Sequence, residues 1–186
     1  MTVAGKFPHP GCRKASGFSL LELVVVICII SGLLVLAITR LWVLQVEAEK
    51  VAMEQVLGNL RSAIGIKVAD FLVSNDMAGV RSLTGSNPMD RLSEVPSNYR
   101  GVVSGANPDT IAAGSWYFDV PAKVLVYRVR NQDYFRGGLD KPARARFAIR
   151  VIYEERGRSS LGSGNINEIA GATLVSLEPY AWIDKD

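Results

Sequence analysis

Residues 16–40 read SGFSLLELVVVICIISGLLVLAITR. No charge falls between Leu23 and Ile38, and with Phe18 to Leu21 the apolar run is interrupted only by Glu22. An α-helix rising about 1.5 Å per residue needs about twenty such residues to cross a bilayer core of roughly 30 Å. The run is therefore long enough to span a membrane. A secretory signal peptide is the first rival, because a basic stretch precedes the apolar one. The run exceeds an ordinary signal h-region, however, and Ala37-Ile38-Thr39-Arg40 is a poor small-x-small cleavage site. A lipoprotein signal fails too, since Cys28 sits inside the run and Cys12 has no apolar stretch before it.

Charge is distributed to match a membrane segment. The chain of 186 residues has 21 basic and 18 acidic side chains, a formal net charge of +3. Lys6, Arg13 and Lys14 stand in residues 1–17, where there is no acid, and setting them aside leaves 18 basic residues against 18 acidic. The whole excess precedes the apolar run, which should hold the N-terminus on the cytoplasmic side.

The polar remainder is poor in chemistry. Cys12 and Cys28 are the two cysteines and His9 is the one histidine, so nothing beyond the apolar run can form an internal disulfide, a thiol nucleophile or a histidine-based triad. No phosphate-binding glycine loop and no acid pair with evident catalytic spacing occur, so no catalytic residues and no cofactor are expected.

The boundary Ser16-Gly17-Phe18-Ser19-Leu20-Leu21-Glu22 resembles the processing motif of type IV pilin-like proteins, the family that includes the pseudopilins of type II secretion. The resemblance is specific over residues 13–40. It implies cleavage between Gly17 and Phe18 by a prepilin peptidase, which also acts as N-methyltransferase on the new N-terminal Phe18. It further implies retention of the helix as anchor in the lipid bilayer, contact with an inner-membrane assembly platform, and packing against other pilin-like subunits in a helical filament. A carboxylate inside a membrane helix costs about 2.5–3.5 kcal/mol on insertion scales, so Glu22 calls for a partner or for snorkelling to the interface. In the family picture its partner is the Phe18 amine of a neighbouring subunit. Many pilins have a proline midway along the first helix. Here none occurs between Phe18 and Pro88, so a more continuous helix is expected.

Beyond Arg40 the pattern turns amphipathic. Val46, Met53, Val56, Leu57, Leu60, Ile64, Val68 and Phe71 recur at helical spacing, while Glu47, Glu49, Lys50, Glu54, Arg61 and Lys67 lie largely off that stripe. The helix should end near Ser74-Asn75-Asp76, with Gly79 shortly beyond. From Phe18 to about Val73 it would run roughly 80 Å. Residues 75–114 read as a loop-dominated connection, with Asn87 capping a short helix that Pro88 begins.

Strand signals follow. Trp116, Phe118 and Val120 alternate with polar neighbours, Leu125, Tyr127 and Val129 form a second run, and Pro121-Ala122 joins them. Ala145, Phe147, Ile149, Val151 and Tyr153 alternate with Arg144, Arg146 and Arg150, and Thr173 to Leu177 supplies a fourth strand after a Gly/Ser-rich loop, Gly157 to Gly164. The stretch from Ser115 to Val129 is similar to the tryptophan-to-tyrosine hairpin of some pseudopilins and minor pilins. The expected class is α+β and pilin-like: a long N-terminal helix packed on an antiparallel sheet of three to four strands with one apolar face. Its divisions are a leader at 1–17, a membrane or filament-core half of the helix at 18–45, an amphipathic half at 46–74 and a periplasmic globular domain at 75–186.

Two further clusters raise ligand questions. Arg144, Arg146, Arg150, Arg156 and Arg158 could neutralise phosphates, but the neutrality of residues 18–186 and the nearby Glu154 and Glu155 favour an ordinary solvated strand face, so no nucleic-acid partner is expected. Asn165, Asn167 and Glu168 offer oxygens among glycines, as calcium loops of major pseudopilins do. One carboxylate with two amides is thin for a cation that takes six to eight oxygens, about two to three times this set, so no metal is expected. The expected role is a pseudopilin or a pilus subunit, with a slight lean to the pseudopilin because many surface pilins carry a C-terminal disulfide. An uncleaved single-pass anchored binding protein is the alternative.

Overall fold

The computed structural model describes residues 18–105, 107–155 and 167–183. The first element, α1 (Leu20–Val73), is one unbroken helix of 54 residues, as the lack of proline led us to expect. The chain divides into two compact units, the first ending at Val43 and the second beginning at Leu44.

In the first unit, every described side chain from Phe18 to Ile38 is exposed, including Leu23, Val24, Ile27, Ile30 and Leu34. This part of α1 is long and apolar enough to cross a membrane. Apolar surface left in water costs about 25 cal/mol per Å², so a helix bare on all sides is stable only under lipid or other protein.

In the second unit the rest of α1 is amphipathic, as its spacing predicts. Met53, Leu57, Leu60, Ile64 and Val68 are buried in one core with Trp116, Phe118, Leu125, Tyr127, Phe147 and Ile149. Truncating one such residue costs about 2–5 kcal/mol. The helix stops where the sequence indicated. Asn75 takes a left-handed conformation at φ 53°, the Asp76 N–H donates to the Phe71 carbonyl at 2.8 Å, and the Asn75 N–H donates to the Leu72 carbonyl at 3.1 Å. That is a Schellman cap, which satisfies carbonyls the helix would otherwise orphan. A short helix, α2 (Met77–Ser82), turns back directly, capped by the Asp76 carboxylate on the Gly79 N–H. A Cβ on Gly79 would stand 2.5 Å from Phe71 Cδ1, so glycine permits this close return. Asn87 caps a 3-10 turn, Pro88–Arg91, by accepting the Met89 N–H.

The main sheet has five strands in the order β1 (Tyr99–Val103), β2 (Ser115–Asp119), β3 (Val124–Arg128), β5 (Arg144–Glu155), β6 (Asn167–Ser176). A separate ribbon pairs β4 (Phe135–Gly137) with β7 (Tyr180–Trp182). Two expectations need correction. The sheet is mixed rather than an antiparallel meander of three or four strands, because β1 runs parallel to β2. Strand β1 arises inside the stretch that reads as loop: Gly101, at φ 87°, puts no side chain into an apolar pattern, and the pairing is irregular between Tyr99 and Val102. Nor is there a single apolar face. Tyr117, Val124 and Val126 are buried on the side opposite α1, packed by Val103, Ile111, Ala148 and Leu177.

An aromatic chain ties the ribbon to the main sheet. Trp116 meets Tyr127 at 4.7 Å and Phe147 at 5.9 Å between ring centroids. Phe147 lies edge-on to Tyr180, and Phe135 packs on both Tyr180 and Trp182. Such pairs add about 0.5–1.5 kcal/mol each beyond area burial.

Candidate functional site

At the N-terminal boundary, Gly17 lies outside the described residues. Phe18 is 70% exposed, two residues before α1 begins. Glu22 stands in the first helical turn and is exposed. Its N–H donates to Ser19 Oγ at 3.2 Å, while the Ser19 carbonyl accepts the Leu23 N–H at 3.2 Å. Ser19 thus caps α1, and Glu22 sits three residues on, the Ser-x-x-Glu spacing of a capping box. An acid there also faces the positive end of the helix dipole. The cap uses the Glu22 backbone N–H, while the carboxylate contributes through its place at the helix N-terminus.

The second polar centre joins α1 to the end of β3 and is built on Glu49. Glu49 Oε1 accepts the Tyr127 hydroxyl at 2.9 Å and the Arg130 N–H at 2.6 Å. Glu49 Oε2 accepts the Asn131 N–H at 2.9 Å and the Asn131 Nδ2 at 2.6 Å. The chain leaving β3 turns here, and the carboxylate collects both backbone donors. Burial first, then the charge and hydrogen bond of Glu49, push the Tyr127 phenol well above its ordinary value. Beside this latch is an open cleft of about 490 Å³ lined by Gln45, Ala48, Glu49, Tyr127, Arg130 and Asn131. Sequence reading alone misses Glu49, whose position off the apolar stripe marks it as a solvated charge. The one available signal is its place three residues after Val46, on the flank of the buried stripe.

The arginines of β5 do not form one cluster. Arg146 donates through Nε to Glu178 Oε1 at 3.0 Å and engages the same oxygen through Nη2, an ion pair that leaves Glu178 Oε2 without a hydrogen-bond partner. The hydrogen bond to Glu178 raises the Arg146 guanidinium further above its ordinary value. Arg144 donates instead to the carbonyls of Asp140 and Pro142, and Arg150 is exposed in the middle of the strand, opposite Thr173. Arg156 and Arg158 lie outside the described residues. The candidate calcium oxygens divide likewise: Asn165 is outside the described residues, while Asn167 and Glu168 are ladder positions in β6 opposite Glu155 and Glu154, not loop positions.

No family model, curated protein or solved structure matches this chain.

Proposed function

We propose that this chain is a structural subunit of a pilin-like filament, a pseudopilin or minor pilin rather than an enzyme. The observation that carries the reading is the Gly17-Phe18 boundary, set directly before an exposed apolar helix with one carboxylate in its first turn. On this reading a prepilin peptidase removes residues 1–17 and methylates Phe18. Residues 18–45 then anchor the chain in the inner membrane with the globular part in the periplasm, until an assembly platform moves the subunit into a fibre. Glu22 pairs there with a neighbour's Phe18 amine, and the low dielectric penalises a subunit out of register because both charges lose their partners. The absence of cysteine from residues 29–186 favours a type II secretion pseudopilus over a surface pilus.

The place of Glu22 in the first turn supports a second reading, an uncleaved single-pass anchor, because a carboxylate facing the positive end of the helix dipole needs no neighbour. Intact-mass and N-terminal peptide analysis of the protein purified from membranes separates the two. A chain beginning at methylated Phe18 supports the filament subunit. A chain that keeps residues 1–17 overturns it in favour of the plain anchor. Secreted proteins and surface fibres, compared in a strain lacking the gene, then distinguish the two filament types.

A further inference from the structure

The outer face of the main sheet carries a polar row across four strands. Trp116, Tyr127 and Ala145 point into the core beneath α1, so their neighbours Ser115, Arg128 and Arg144 point the other way. The register sets Ser115 opposite Arg128, and Arg128 opposite Arg144. Arg100 on β1 joins the row by donating from Nε to Ser115 Oγ at 3.1 Å.

Two arginines directly opposite one another, on strands about 4.8 Å apart, repel and weaken a ladder. Little among the described residues offsets that. Arg144 Nη1 donates to the carbonyls of Asp140 at 2.8 Å and Pro142 at 3.0 Å. Arg128 Nη1 makes one long contact to the Asp109 carbonyl, 3.4 Å, and Arg128 Nε is buried with no hydrogen-bond partner. Among the described residues, none of Arg100, Arg128 and Arg144 has a carboxylate partner, whereas Arg146 on the same face has Glu178. Burial raises the Tyr117 phenol, Arg144 lowers it, Asp119 raises it and Arg128 and Arg146 lower it, so the phenol lies within the field of three arginines and one acid. The apolar packing around Tyr117, Val124 and Val126 keeps water from one flank of the row, which strengthens its field.

We propose that Arg100, Arg128 and Arg144 form a binding site for a phosphate-class oxyanion. A single carboxylate would neutralise one of the three charges. A phosphate or phosphate ester brings more charge and several oxygens, and guanidinium forks from neighbouring strands can meet them bidentately. The phosphate can be free in solution or belong to a lipid headgroup. The site is independent of whether the chain enters a filament.

The test uses the full chain in non-ionic detergent at low salt, titrated calorimetrically with inorganic pyrophosphate. A parallel arm compares the thermal midpoint in micelles doped with phosphatidylglycerol or with phosphatidylcholine. Saturable pyrophosphate binding is expected, weakened about tenfold or more by Arg128→Gln and by Arg144→Gln, the loss of one charge-assisted contact. Arg150→Gln removes the same charge from β5 outside the row and should change affinity by less than about twofold. A rise in midpoint with phosphatidylglycerol alone, abolished by Arg144→Gln, also supports the site and assigns its phosphate to lipid. Arg128→Lys keeps charge but loses the fork, so an intermediate affinity guards against misfolding of the glutamine variant. No saturable response in either arm overturns the proposal, as does an effect of Arg150→Gln equal to that of Arg144→Gln.

Discussion

Glu49 and Asn131 are joined twice, because Glu49 Oε2 accepts both the Asn131 backbone N–H and its side-chain Nδ2. The other oxygen holds Tyr127 and the Arg130 N–H, so one helical carboxylate satisfies four donors at the exit of β3. Removing the shared acceptor leaves the Tyr127 hydroxyl and both Asn131 donors, all partly buried, unmet at once, while the exposed Arg130 N–H can turn to water. Glu49→Ala should therefore destabilise the fold by about 2–4 kcal/mol, and Glu49→Gln by about 1–3, since its amide would face two donors. Urea unfolding of the full chain in non-ionic detergent, followed by tryptophan fluorescence, checks this. Wild-type midpoints for both variants would show that the latch contributes nothing.

The same contact fixes a response to alkaline pH. The folded state holds the Tyr127 phenol protonated well above its ordinary value, while in the unfolded chain it titrates near 10. The unfolded state thus releases its proton first as pH rises. Stability from this source is complete below pH 10 and is lost as pH climbs above it. Tyr99, Tyr117 and Tyr180 are raised as well, each chiefly by burial, and add to the fall. Unfolding free energy measured from pH 8 to 11.5 should decline from about pH 10, less steeply in Tyr127→Phe. A profile equally steep in that variant would remove Tyr127 from the account.

The end of α1 should be sensitive to shape in two neighbouring places with opposite demands. A methyl on Gly79 meets the Phe71 ring, so Gly79→Ala should cost about 1–3 kcal/mol. Asn75 already occupies a left-handed conformation, which glycine adopts without strain and a branched residue does not. Asn75→Gly should then be neutral or mildly stabilising, and Asn75→Val should cost about 1–2 kcal/mol. Thermal unfolding of the three variants checks the ordering, and a neutral Asn75→Val would contradict the cap.

These residues show what a sequence makes legible. The stripe from Val46 to Phe71 and the stop at Asn75 were readable because helical periodicity and capping are local. β2, β3 and β5 were readable for the same reason, each carrying its own alternation. β1 was not, since Gly101 interrupts its pattern and its partner lies in β2, reached through a separate loop. The three-residue strands β4 and β7 are too short for any period, and Phe135 and Trp182 find each other only through the folded chain. Polar centres fared alike. The Ser19–Glu22 spacing is visible in four residues, whereas Glu49 with Asn131 and Arg128 with Arg144 depend on which segments the fold brings together.

The first turn of α1 offers the decisive pair of substitutions, because capping and filament pairing make different demands on adjacent residues. Ser19→Ala removes the acceptor of the Glu22 N–H and should fray the helix start at a cost of about 1 kcal/mol, without touching any charge. Glu22→Val and Glu22→Gln keep Ser19 but remove the carboxylate. If Glu22 serves only its own helix end, all three variants should behave alike, with small effects on membrane retention and none on assembly. If it meets a neighbour's amine, Ser19→Ala should assemble normally. Both Glu22 variants should then still be cut at Gly17 yet yield few filaments, since the incoming amine finds no counter-charge in a low dielectric. Sheared-fibre yield and N-terminal mass, measured together, give both readouts on one sample. Wild-type yield from Glu22→Val would sink the pairing and leave the helix dipole as the partner of this carboxylate.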